Sequence, residues 1–346
     1  MMLSDTTSLS EKIPPETTMM QMVVGYWVSR CIYVAAKLGI ADLLKDGSQD
    51  CDALAAATNT HSDSLYRVLR LLASVGIFSE TQPRCFQLTP LAACLQSNVP
   101  NSIRAAAIMR GEEHYYKAWG NLMHCVQTGE SAFDDLYGMN LFEYNAQNPT
   151  QGQIFDRAMA ESSDENAAVL AAYDFSSIGK LVDVGGGKGG LLAAILQANP
   201  SMTGVLFDQP DVIDRAKNSL EAAVVSERTQ LVGGDFFKAL PAGGDAYVLK
   251  HIIQDWDDER SRVILQGCHQ AMGEQGRLLV IEPLIPPGNE LHAGKFFDVN
   301  MLVMCPGGRI RTEAEYRELF KSTGFKLTKI VPTQLETSVI EAVKID

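Results

Sequence analysis

No Lys/Arg-rich block occurs anywhere in the 346 residues, and acidic side chains outnumber basic ones 42 to 29, leaving a formal net charge of -13. Nucleic acids and anionic membranes are bound by clustered positive charge that displaces counterions. Neither is an expected partner. No CxxC pair is present, and the seven cysteines (Cys31, Cys51, Cys85, Cys94, Cys125, Cys268 and Cys305) are scattered. That spacing fits reduced thiols and neither a disulfide framework nor a zinc site. No run of apolar residues is long enough to span a bilayer, and the polar start MMLSDTTSLSEKIPPE lacks the apolar core of a signal peptide. A cytoplasmic chain is expected. Internal repeats and low-complexity segments are also missing.

What is present is 46% hydrophobic residues in a chain long enough for more than one core. After a start expected to be disordered over residues 1–16, residues 17–45 are apolar at helical spacing over a wide face. A helix of this kind should be buried on most sides, which points to a homodimer interface. The segment CDALAAATNTHSDSLYRVLRLLASVGIFSETQPRCFQLTPLAACL follows the order of a winged helix-turn-helix. Such a fold reads DNA or docks proteins. Around it, acidic residues match the basic ones, so docking is expected and residues 17–100 are assigned as a dimerisation domain. Residues 101–176 read as helices rich in aromatics and Met, a helical linker bearing the acceptor pocket. From 177 to 346, strands alternate with helices, the pattern of a Rossmann-like, doubly wound parallel sheet. The fold class is therefore α/β with a mainly helical N-terminal domain.

The loop Asp183-Val184-Gly185-Gly186-Gly187-Lys188-Gly189-Gly190 follows the first of these strands and opens a helix. Its glycines admit a ligand close to the backbone, beside a helix N-terminus. The spacing also matches GxGxxG, so a dinucleotide competes with an adenosyl ligand. Asp183 at the strand end would receive an ammonium group and repel a pyrophosphate. Asp208, closing TGVLFD with Gln209 beside it, suits ribose hydroxyls of either ligand. Asp235 and Phe236, in GGDFF, suit the amino group and ring face of adenine. Together these favour S-adenosylmethionine.

The motifs LVDVGGGKGG, GGDFF, LKHIIQDWDDE, RLLVIEPLIP and PGGRIRTEAEY occur in that order behind a helical domain. The chain thereby resembles the caffeic acid / hydroxyindole O-methyltransferase family of class I S-adenosylmethionine-dependent enzymes, including bacterial natural-product members. The resemblance runs from about residue 18 to the C-terminus. It implies a dimer entwined through the N-terminal domain and methyl transfer to a hydroxyl on a small aromatic or enolic acceptor. It places Asp183, Gly185, Gly187, Asp208, Gln209, Asp235, Phe236 and Lys250 at the cofactor. Phe155, Met159, Asn300, Met301 and Cys305 fall on the acceptor side.

The chain departs from the family where the chemistry is expected. The residue before Asp255-Trp256 is the family's histidine base, and here it is Gln254. Of the two acids that orient that base, Glu282 matches one, while the other falls on Ile310. An amide cannot accept a proton near neutral pH. Three readings follow: base-free methyl transfer to an acceptor that ionises by itself, non-methylating chemistry (hydroxylation, decarboxylation or a pericyclic step) beside a bound cofactor, or a non-catalytic partner subunit. The catalytic candidates are Gln254, Asp255, Glu282 and, as a substitute acid/base, His114. His251 is expected to pack beside the cofactor, His61 to cap a helix, and His292 to be solvated.

Overall fold

The computed structural model describes residues 14–100, 102–160 and 163–345; the first thirteen residues of the stretch read as disordered lie outside this set. The chain divides into two compact units, one ending at Gly111 and one beginning at Glu112. No helix among the described residues is long and apolar enough to cross a membrane.

In the first unit, the long helix expected over residues 17–45 is three helices, Pro15–Val23, Gly25–Leu38 and Ile40–Leu43. The second break has a plain cause. Gly39 adopts φ 69°, the left-handed conformation that ends helices and that glycine adopts without a Cβ clash. The helix Ser62–Ser74 turns Leu65, Leu69 and Leu72 inward, four and three residues apart on one stripe. These meet Leu54, Phe78 and Phe86 in one core. A small antiparallel sheet completes the unit: β1 (Gln49–Asp50), β3 (Cys85–Leu88) and β2 (Phe78–Gln82), in that order. His61 caps the helix as expected, accepting from the Ser64 N–H. Met19, Met20, Met22, Val23, Tyr26 and Trp27 remain more than half exposed, so the apolar face read from the sequence is not covered within one chain.

The second unit is built on a seven-stranded sheet: β4 (Lys180–Val184), β5 (Thr203–Asp208), β6 (Thr229–Gly233), β7 (Ala246–Lys250), β8 (Arg277–Pro283), β9 (Phe325–Pro332) and β10 (Thr337–Lys344), in the order β6-β5-β4-β7-β8-β10-β9. The first five pair in parallel. Their near-continuous apolar runs follow from burial on both faces. Leu181 and Val248 point into one core, Val182 and Leu249 into the other. The strands expected from the sequence thus form the parallel, doubly wound part of the sheet, and one edge lies beyond them. β10 pairs antiparallel with both β8 and β9, a hairpin that the sequence reading ended short of. Strand order reverses direction between β4 and β7, and the carboxyl ends flanking such a switch point form the crevice where α/β sheets bind ligands.

Candidate active site

The glycine loop leaves β4 at this switch point. Gly185, Gly187 and Gly189 have φ of 69°, 59° and 75°, so the loop's path depends on residues without a Cβ. A Cβ on Gly186 would lie 2.5 Å from the Asp183 carboxyl carbon and 2.5 Å from Leu206 Cδ1. A Cβ on Gly185 would lie 2.4 Å from Ile252 Cδ1. The backbone is therefore packed closely against its neighbours, and the Gly185 N–H itself donates to the Phe207 carbonyl at 2.7 Å.

Two carboxylates flank the loop. Asp208 accepts hydrogen bonds from the Gly187 N–H at 2.8 Å and the Gln209 N–H at 2.7 Å. Burial nevertheless raises its pKa. Asp183 is 1% exposed, and its Oδ2 has no hydrogen-bond partner among the described residues. Burial pushes its carboxyl up to about 7, Lys250 opposes this, and Asp208 adds to it. A buried, unpartnered carboxylate oxygen is costly unless something cationic completes it. An amino-acid ammonium in this position would do so, and an adenosyl amino acid therefore fits the cradle. A pyrophosphate would add like charge and does not fit.

Asp235, on the loop after β6, accepts from the Phe237 N–H at 2.9 Å and pairs with Lys238 at 3.1 Å. Phe236 joins a row of rings. It meets Trp256 edge-on at 6.1 Å, Trp256 stacks on Phe142 at 5.8 Å, and Phe142 meets Phe155 edge-on at 6.1 Å. An adenine-side residue and an acceptor-side residue from the sequence are thus joined by one aromatic wall. Met159 is 44% exposed on the same helix as Phe155, Pro149–Ala160.

β7 ends in Lys250, and Gln254 lies on the following turn, Ile253–Asp255. Gln254 is buried, and its backbone N–H donates to Glu282 Oε1 at 3.0 Å. The other Glu282 oxygen accepts from the Tyr316 hydroxyl. Burial raises the Glu282 pKa. Asp255 is pushed up to about 8 by burial and by Glu282, and it lies 3.9 Å from the Cys305 thiol. Burial and Asp255 hold that thiol well above the ordinary cysteine range. Ile310 is buried, its backbone N–H donating to Asp298 at 2.9 Å, so no second acid stands at this position.

His251 differs from the packing role expected of it. Its Nε2 lies 2.7 Å from Glu165 Oε1 and its Nδ1 3.3 Å from Gln254 Oε1. Lys250 Nζ reaches the other Glu165 oxygen at 2.6 Å and Asn166 at 2.8 Å. Glu165, which the sequence reading missed, sits 86 positions away with no motif to flag it. Arg311 was also missed, although it lies in the quoted PGGRIRTEAEY. Its guanidinium is 1% exposed and donates to the Ile253 and Trp256 carbonyls, both at 3.0 Å, and to Asp258 at 2.8 Å. It pins the Gln254 turn from beneath.

His114 occupies an aromatic box, stacked on Tyr144 at 5.2 Å and edge-on to Tyr115 and Phe133, where burial lowers its pKa. Asn300 accepts from the Trp119 indole at 3.2 Å, and Met301 is buried on the same helix. His292, expected to be solvated, caps that helix by accepting from the Gly294 N–H at 3.1 Å. No cluster of three or more His, Cys, Asp or Glu suited to a metal ion occurs among the described residues.

A family model described as the O-methyltransferase domain matches residues 119–326, and one described as the O-methyltransferase dimerisation domain matches residues 20–98. The chain is 46% identical to the phenazine O-methyltransferase PhzM of Lysobacter antibioticus, over 95% of this chain and 96% of that protein. The crystal structure of LaPhzM superposes with a TM-score of 0.93 at 45% identity, covering 96% of this chain and all of that one. An O-methyltransferase from neocarzinostatin biosynthesis, solved with S-adenosylmethionine and 2-hydroxy-5-methyl naphthoic acid, superposes with a TM-score of 0.81 at 31% identity. There the match covers 92% of this chain and 96% of that one.

Proposed function

Because the chain belongs to the O-methyltransferase family, we propose that it methylates a hydroxyl of a small aromatic natural-product acceptor without a histidine base, and that it works as a homodimer. The likeness to a phenazine O-methyltransferase favours a hydroxylated fused aromatic, such as a hydroxyphenazine, as the acceptor class. S-adenosylmethionine, when bound, supplies the electrophilic methyl group. Asp183 would hold its ammonium group, the Gly185–Gly187 backbone and Asp208 its ribose, and Asp235 with Phe236 its adenine. The aromatic wall of Phe236, Trp256, Phe142 and Phe155 would exclude water between the two ligands.

The observation that carries this reading is Gln254. It is buried on the turn where the family places a base, with its backbone held by Glu282 at 3.0 Å. Its amide can hold an oxygen but cannot take its proton. General-base catalysis contributes about 100- to 10,000-fold, whereas positioning alone supplies about 7 to 11 kcal/mol of a displacement barrier. An acceptor that is already ionised does not need the first term. The loss of both the base and, at Ile310, its second orienting acid also favours a second reading, non-methylating chemistry beside a bound cofactor. Incubating the protein with S-adenosylmethionine and hydroxyphenazines, and comparing S-adenosylhomocysteine with product, separates the two. Equal amounts support methyl transfer; product without S-adenosylhomocysteine overturns it; no product with any acceptor supports a non-catalytic subunit.

A further inference from the structure

His251 holds an unusual backbone conformation, φ 56°, in the region that bulky L-residues seldom occupy. Its backbone N–H is fixed to the Ile281 carbonyl at 3.1 Å. The result is an imidazole placed between two polar partners from different elements: Glu165 on the helix Ser163–Ala172, and Gln254 on the turn after β7. Glu165 is a carboxylate shared by Lys250 and His251, one oxygen to each. A carboxylate only accepts, so Nε2 carries a proton. The opposite nitrogen, Nδ1, faces the Gln254 amide oxygen, which also only accepts. With the Gln254 amide in this orientation both ring nitrogens donate, which is the hydrogen-bonding pattern of an imidazolium.

This arrangement rests on the methyl-transfer reading above and adds a requirement to it. We propose that Glu165 and His251 are positioning residues that fix the Gln254 amide oxygen inward, leaving its two N–H donors for the acceptor and so selecting an acceptor that arrives as an oxyanion. The Gln254 amide nitrogen makes no hydrogen bond among the described residues, which leaves both donors available. A neutral hydroxyl could only accept from them, with its own proton left to solvent. An oxyanion accepts both and gains a charge-assisted pair. Its proton has gone to solvent before it binds, so no protein group takes it up. The chemical class is a phenolate or enolate whose acidity is raised by a ring nitrogen or a neighbouring carbonyl.

The charges facing the imidazole support the protonated form. Glu165 and Glu282 raise its pKa, Lys250 and burial lower it, and the direction that prevails is upward. Asp255 also lies within range; burial and Glu282 push its carboxyl up to about 8, and the His251 charge opposes them without prevailing. Glu165 is held down to about 2, with His251 and Lys250 outweighing its burial.

The test uses the full-length protein without added cofactor, labelled with ¹⁵N-histidine. The signal of His251 among the six histidines is identified by its loss in His251→Gln. The expected wild-type spectrum shows both His251 ring nitrogens protonated, with loss of a proton only above the ordinary histidine range. Glu165→Gln should move that titration towards acid. In turnover, Glu165→Gln should raise KM for an acidic hydroxyphenazine roughly tenfold while changing kcat less, because a positioning hydrogen bond and not a reacting group has been altered. A neutral His251 ring at neutral pH overturns the proposal, and so does an unchanged KM in Glu165→Gln. If His251→Gln does not fold, the Glu165→Gln shift in the histidine spectrum still decides it. Failure of the methyl-transfer reading appears separately, as wild-type protein that forms no S-adenosylhomocysteine with any acceptor.

Discussion

Asp208 Oδ2 accepts the Gly187 N–H at 2.8 Å, tying the end of β5 to the glycine loop that leaves β4. One carboxylate thus shapes the cradle and lines it. Asp208→Ala should weaken S-adenosylhomocysteine binding by about 1 to 3 kcal/mol, or roughly 5- to 150-fold in Kd, the range for losing charge-assisted hydrogen bonds. Calorimetry measures this directly. An unchanged Kd would remove Asp208 from the cofactor site.

The Asp183 carboxyl should make cofactor binding pH-dependent. Burial raises its pKa to about 7, so in the ligand-free protein it holds a proton increasingly as pH falls through that value. An ammonium beside Oδ2 favours the carboxylate, so binding must release that proton, and affinity must fall on the acid side of about 7. Calorimetry at slightly acid pH, in buffers of different ionisation heat, should show proton release in the wild type and none in Asp183→Asn. A binding heat independent of buffer would contradict the assignment.

Neighbouring glycines should respond differently to alanine. At Gly186 the new Cβ would overlap the Asp183 carboxyl and Leu206 at 2.5 Å, both of them buried, so Gly186→Ala should lower the melting temperature and abolish ligand binding. At Gly187 a Cβ meets nothing within 4 Å and suffers only from φ 59°, for a cost of about 1 to 2 kcal/mol. Thermal melts with and without S-adenosylhomocysteine compare the two. Equal effects would mean that the loop is not packed as described.

Much of this site is legible in the sequence, and the missing part has a common physical character. β4, β5 and β7 are apolar runs with a charged residue at or next to their carboxyl ends, Asp183, Asp208 and Lys250, and a charge in that place marks both a buried strand and its functional end. Gln254 and Ile310 are visible as departures because each sits inside a motif with fixed neighbours. Glu165 has no such setting. It lies in the polar stretch SDEN, and only tertiary folding brings it to 2.7 Å from His251. Arg311 is hidden for a different reason: a buried guanidinium that binds backbone carbonyls follows from loop geometry, which residue type does not encode. The left-handed backbone at His251 is equally silent, since nothing local asks a histidine to adopt it. In the fold, β9 alternates buried and exposed residues over FKLT, a period-two signal that the sequence does carry. The helix break at Gly39 could likewise have been placed from its glycine.

Restoring the family's residue at Gln254 tests where the proton goes. If the acceptor ionises unaided, wild-type kcat/KM should rise with pH through the acceptor's own pKa and should fall steeply along a series of hydroxyphenazines or phenols of decreasing acidity. Gln254→His introduces an imidazole whose backbone N–H is already held by Glu282, but whose second orienting acid is still absent at Ile310. The gain should therefore lie at the low end of general-base catalysis, about 100-fold, and should be confined to the weakly acidic acceptors. For strongly acidic acceptors the variant should be slower than the wild type, because it gives up the two amide donors offered to an oxyanion. The discriminating quantity is the slope of log kcat/KM against acceptor pKa, which should flatten in Gln254→His. A parallel shift of the whole series, with the slope unchanged, would mean that residue 254 does not touch the reacting oxygen and that the acceptor's proton leaves by another route.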